Sequence, residues 1–170
     1  MRVADLYQRD IWYAKAILPI LTDRRCETIT PVRGKKACCL INGDRLLLVK
    51  KAKQRGKNQF HWLFAFQQED RKFLVQESQY GKCICLFLIC ENRTTEVRDT
   101  PVVCAVKWNE ARNLLNPTAG WEQQNIYVKK KNGAYVLTGP LDTSNTPQLH
   151  RGIKKGRAEL LNYFYATSSK

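Results

Sequence analysis

The sequence predicts a mixed α/β fold, with α+β as its variant, built as a central mixed sheet with flanking helices. Three observations predict it. Apolar residues make up 44% of the 170-residue chain, near the globular norm, and that length closes a hydrophobic core without covalent staples. Stretches of period-two hydrophobicity alternate with stretches of helical period. Residues 83–90 form a near-continuous apolar run, as expected of a strand buried on both faces.

The elements follow in order. Residues 3–18 read as an amphipathic helix on Val3, Leu6, Tyr7, Ile11, Ala14, Ile17 and Leu18, ended by Pro19. Residues 24–30 carry β character and close at Pro31. A strand over 36–41 and another over 45–52 flank Asn42-Gly43-Asp44, a tight-turn signal. Residues 59–66 form a fourth strand, with Phe60, Trp62, Phe64 and Phe66 sharing one face that reads as buried. A helix over 67–78 places Glu69 and Asp70 in its first turn, where the helix dipole favours acids. After the strand over 83–90 come a strand over 101–106 and a short helix over 108–115. Residues 125–138 read as a hairpin about Asn132-Gly133, and residues 139–149 as a loop. A helix over 153–165 closes the series. Residues 1–115 are expected to form an α/β core, and residues 116–170 a basic hairpin-helix appendage packed on the same domain.

Charge is the strongest compositional signal. Lys and Arg number 29 against 15 Asp and Glu, a net +14. Residues 1–58 hold 14 basic and 5 acidic side chains, residues 59–115 hold 7 of each, and residues 116–170 hold 8 and 3. The excess therefore flanks a neutral middle. It gathers in three clusters: Lys50, Lys51, Lys53, Arg55 and Lys57; Lys129, Lys130 and Lys131; and Arg151, Lys154, Lys155 and Arg157. Such clusters neutralise phosphates and release counterions, which favours nucleic acid as partner, DNA ahead of RNA. Trp121 and Tyr127, beside the second cluster, are candidates for stacking on unpaired bases.

Other classes are excluded or disfavoured. No apolar run approaches the ~20 residues of a membrane span, and no secretory h-region is evident. Seven cysteines, mostly inside apolar strands, read as reduced core thiols of a reducing compartment, cytoplasmic or nucleoid/nuclear. Phosphate-loop, dinucleotide and nucleophile-elbow glycine motifs are absent. Two histidines, His61 and His150, leave little for a His-based metal site or a triad.

The order of a leading helix, strands with a hairpin, a strand ending in Lys50, then a helix and a buried strand resembles the restriction-endonuclease-like PD-(D/E)XK superfamily over about residues 1–115. That family places an acid on its second strand and a (D/E)-x-K motif on its third. The resemblance implies a nuclease site in which Lys50 is the motif lysine and Glu27 and Asp44 are the available acids, holding Mg²⁺ if the chain is catalytic. The chain departs from the pattern at Leu48, where the motif requires an acid. Read without the family, Asp44 is a turn residue, Glu27 a solvated strand residue and Lys50 part of a basic run. Three functions follow as expectations. The first is a nucleic-acid-binding protein on a restriction-endonuclease-like core, with a divergent or degraded Mg-dependent endonuclease site. The second is a non-catalytic single-stranded nucleic-acid module. The third is a basic adaptor for an acidic protein or membrane surface. The oligomeric state is open, a homodimer being compatible.

Overall fold

The computed structural model of the chain describes residues 11–56, 60–92, 102–115, 123–140 and 156–166. Within them the elements run α1 (Ile11–Leu21), β1 (Ile29–Pro31), β2 (Cys38–Ile41), β3 (Arg45–Lys53), β4 (His61–Gln67), α2 (Gln68–Gln79), β5 (Cys83–Glu91), β6 (Val102–Lys107), α3 (Trp108–Ala111), β7 (Gln123–Lys131), β8 (Ala134–Thr138) and α4 (Arg157–Tyr165). The fold is mixed α and β, with two sheets, as the alternating periodicities imply.

Five strands form the larger sheet, in the order β1-β2-β3-β5-β6. The first three are an antiparallel meander, β5 lies parallel to β3, and β6 returns antiparallel to β5. The continuous apolar run becomes β5, flanked by β3 and β6 and buried from Ile84 to Cys90. β4 does not join this sheet. It pairs instead with β7, and β7 with β8, in a three-stranded antiparallel sheet. Residues 116–170 thus meet the first 115 through a strand ladder from Gln67↔Gln123 to His61↔Lys129.

Strand alternation sorts the core into two layers of contact. Leu46 and Leu48 of β3, with Ile84, Leu86 and Leu88 of β5, meet Trp62, Phe64, Phe66, Ile126, Val128 and Leu137 of the smaller sheet and Leu74 of α2. Leu47 and Val49, with Cys85, Phe87 and Ile89, meet Trp12, Ala16, Ile17 and Ile20 of α1 and Leu160 and Phe164 of α4. The larger sheet is therefore covered on one side by α1 and α4 and on the other by α2 and the smaller sheet.

Local chemistry explains several boundaries. Asn42 and Gly43 (φ 52° and 76°) and Asn132 and Gly133 (φ 49° and 78°) occupy the left-handed region that tight hairpin turns demand. Pro19 does not end α1, which continues to Leu21. Proline here removes one intrahelical donor near the C-terminus, and the Thr22 amide and hydroxyl both donate to the Leu18 carbonyl to finish the turn. β1 is shorter than the β character of residues 24–30 suggests. The Asn42 side chain ties down the preceding segment, accepting from the Glu27 and Thr28 amides and donating to the Arg25 carbonyl. The aromatic stripe is buried at Trp62, Phe64 and Phe66, but Phe60 is 48% exposed, because it precedes β4 and lies past the end of the core.

Candidate nucleic-acid interface

The end of β3, the start of β4 and the end of β7 meet in one basic edge. The Arg55 amide donates to the His61 carbonyl at 2.9 Å, in an isolated antiparallel bridge between the two residues. His61 in turn stands opposite Lys129 in the β4–β7 ladder. Directly opposed residues of antiparallel strands project to one side about 5 Å apart, so Arg55, His61 and Lys129 form a row. The Lys130 amide donates to the Phe60 carbonyl at 2.8 Å, and Lys131 closes the ladder opposite Ala134.

A polar hub fixes this edge to the larger sheet. The Glu91 carbonyl, at the end of β5, accepts from the Gln54 amide at 2.8 Å and from Trp62 Nε1 at 3.0 Å. The Glu91 carboxylate lies 3.7 Å from Lys51 Nζ. Lys53, Arg55, Lys129, Lys130 and Lys131 have no carboxylate partner among the described residues, so their charge faces solvent. Aromatic rings sit among them. The Lys130 ammonium is 5.5 Å from the Phe60 ring centroid and 5.8 Å from that of Tyr135, and Lys129 Nζ is 5.9 Å from Tyr127. Tyr127, half-buried, belongs to the face of β7 opposite the buried Ile126 and Val128.

Lys50 is placed differently from its basic neighbours. Its ammonium donates to Asp70 Oδ2 at 2.9 Å and stands 4.8 Å from the Phe66 ring, while Lys35 approaches the other Asp70 oxygen at 3.5 Å. Burial pushes the Asp70 pKa up. The Lys50 hydrogen bond and charge, with the Lys35 charge, outweigh it, so the carboxyl titrates below its ordinary 3.8. A lowered folded value stabilises the fold above the ordinary value and loses that contribution as pH falls below it. Asp70→Asn is therefore expected to destabilise the chain modestly near neutrality, with the difference from the parent constant down to about pH 5 and narrowing as pH falls through 3.8 and below, to about pH 2. Denaturation midpoints across that range measure it. A gap that stays constant with pH would remove Asp70 from the acid response, leaving groups such as Asp23, which Arg25 holds at about 2.

The acids named with Lys50 do not join it. Asp44 lies in the turn at the opposite end of β3, six residues away, which at ~3.3 Å per residue puts about 20 Å between the two. Asp44 is exposed and only approaches Arg45, at 4.0 Å. Glu27 is exposed at the same end, its amide bound by Asn42. Glu27, Asp44 and Lys50 are thus not one constellation. At the motif position stands Leu48, buried in the core, and the β2 residue paired with it is Cys38. A leucine and a buried thiol, beside one carboxylate held by two lysines, do not fit a hard divalent cation that requires several oxygen ligands. Among the described residues no three His, Cys, Asp or Glu side chains are grouped to hold a metal.

The third basic cluster contributes one described residue. Arg157 begins α4 on the α1 side of the larger sheet, its guanidinium donating to the Thr22 hydroxyl at 3.3 Å. It does not share a layer with Lys129, Lys130 and Lys131, because Leu160 and Phe164 seat α4 on the opposite face. Lys57, Trp121, Arg151, Lys154 and Lys155 lie outside the described residues. No disulfide joins the seven cysteines, and burial pushes the Cys38 and Cys39 thiols up to about 12, which makes them packing groups. No described helix is long and apolar enough to cross a membrane.

Two residues of this region escape sequence reasoning. Asp70 shows there only as a dipole-favoured acid, and its lysine partners come from distant segments. Phe60 reads as core by parity. The available signal was its place directly after the basic run, where a strand begins and burial ends.

No family model matches the chain, and no curated protein or solved structure matches it.

Proposed function

We propose that this chain binds nucleic acid through the edge formed by Arg55, His61, Lys129, Lys130 and Lys131. The observation that carries the reading is the meeting of two sequence-distant basic clusters through the Arg55–His61 bridge and the His61↔Lys129 pair. Cations brought together without acidic partners repel one another, and a polyphosphate relieves that repulsion while releasing its counterions. Cysteines outside disulfides suit a reducing compartment, cytoplasmic or nucleoid/nuclear.

The restriction-endonuclease-like reading draws support from the leading helix, the β2–β3 hairpin, Lys50 on β3, then α2 and the buried β5, in the order the resemblance implies. The residues around Lys50 favour a binding scaffold over a metal-dependent one, since Leu48 takes the place of the motif acid.

Titrating a labelled oligonucleotide with the protein at several salt concentrations tests the reading. About four neutralised phosphates give a log–log slope near −3, a loss on the order of 50-fold between about 50 and about 200 mM salt. Affinity that ignores salt, or binding only to anionic lipid vesicles or acidic peptides, would overturn it.

A further inference from the structure

We infer that the preferred ligand of this edge is single-stranded nucleic acid, with one unpaired base stacked on Phe60. The inference rests on the nucleic-acid reading above. Phe60 leads the stripe whose next three members, Trp62, Phe64 and Phe66, are essentially excluded from solvent, yet its own ring is 48% exposed. Burial in the core therefore does not account for the ring. Its position is nonetheless fixed: the Phe60 carbonyl accepts from the Lys130 amide, extending the β4–β7 ladder by one bond.

The surroundings of the ring are cationic. Lys130 Nζ lies 5.5 Å from its centroid, while the Arg55–His61–Lys129 row, one residue on, projects from the opposite face of the same strand end. An exposed aromatic face beside the Lys130 ammonium, at a strand end with further cations on its other face, matches a nucleotide that offers a base and a phosphate together. Bases stack on aromatic side chains whatever their identity, and the flanking cations take the backbone. A duplex cannot use this face, because its bases are already stacked and paired. It meets only the lysines and Arg55. Phe60 thus separates the two forms of the ligand, and the cations do not.

The test compares a labelled oligothymidylate of about 20 nucleotides with a blunt duplex of the same length, at one salt concentration, using the full chain. Phe60→Ala is expected to weaken single-strand binding roughly tenfold and duplex binding less than twofold. Phe60→Trp is expected to restore the single-strand affinity, and Phe60→Leu, apolar but without a π face, to leave it low. Thermal melts close to the parent's identify these as binding effects. Unchanged single-strand affinity in Phe60→Ala, or equal losses on both probes, overturns the stacking inference while salt-dependent binding upholds the parent reading. Failure of the native chain to bind either probe overturns both.

Discussion

Replacing Lys129, Lys130 and Lys131 together by glutamate is expected to lower oligonucleotide affinity on the order of 100-fold or more near physiological salt. Each lost phosphate contact removes its counterion release and flattens the salt slope by roughly 0.7 for a single strand, about two units for three residues. Reversal adds repulsion to the loss, so the effect exceeds neutralisation by glutamine. The substitutions fall where the fold tolerates them. Lys130 and Lys131 are exposed, Lys129 is half-buried, and the turn beyond them depends on Asn132 and Gly133. Parallel measurement of affinity and of the melting curve separates binding from folding. The same reversal at Lys35, whose charge is engaged by Asp70, serves as the contrast and is expected to leave affinity within about threefold. Equal losses at both places would mean that net charge, and not this edge, governs binding.

Phe64→Ala is expected to cost about 3–5 kcal/mol, as truncation of a fully buried aromatic does. Phe64 is 1% exposed in the core between the two sheets and stands opposite Ile126 in the ladder. Removing its ring opens a cavity where β4 meets the larger sheet. Against a typical domain stability of 5–15 kcal/mol, the loss lowers the melting temperature by roughly 10 °C or more. Urea denaturation of Phe64→Ala beside Phe60→Ala, two positions of one stripe, measures the contrast. The exposed ring at Phe60 is expected to matter by less than about 1 kcal/mol. A small effect at Phe64 would mean that the smaller sheet contributes little to the packing of the larger one.

Much of the fold was legible because local signals agreed. The Asn-Gly pairs announce two hairpin turns, and an unbroken apolar run over Ile84 to Cys90, short and without helical period, reads as a strand covered on both sides. Alternation places Trp62, Phe64 and Phe66 on one face, though it includes the exposed Phe60 as well. The departure of β4 from the larger sheet was not legible, because strand partners are chosen by packing across the chain and leave no local mark. For the same reason the sequence gathers Glu27, Asp44 and Lys50 as chemically suitable, whereas the straight run of β3 holds Asp44 and Lys50 at opposite ends. The basic edge was legible as composition and not as geometry. Two of its clusters meet because His61 pairs with both Arg55 and Lys129, and nothing near either cluster in the sequence encodes that meeting. Arg157, similar in charge, is drawn to the other layer by Leu160 and Phe164.

The ladder between β4 and β7 also has a consequence in time. His61 and Lys129 are paired across 68 residues of sequence, and contacts of such separation form slowly, since a long loop must close before they are rewarded. During synthesis β4 emerges well before its partner, so Trp62, Phe64 and Phe66 wait beside an open strand edge, a state prone to wrong pairing. The row of Arg55, His61 and Lys129 exists only once β7 arrives. On the proposed reading, competence to hold a polyanion is therefore a late event in the life of each molecule, acquired with the closing of the smaller sheet.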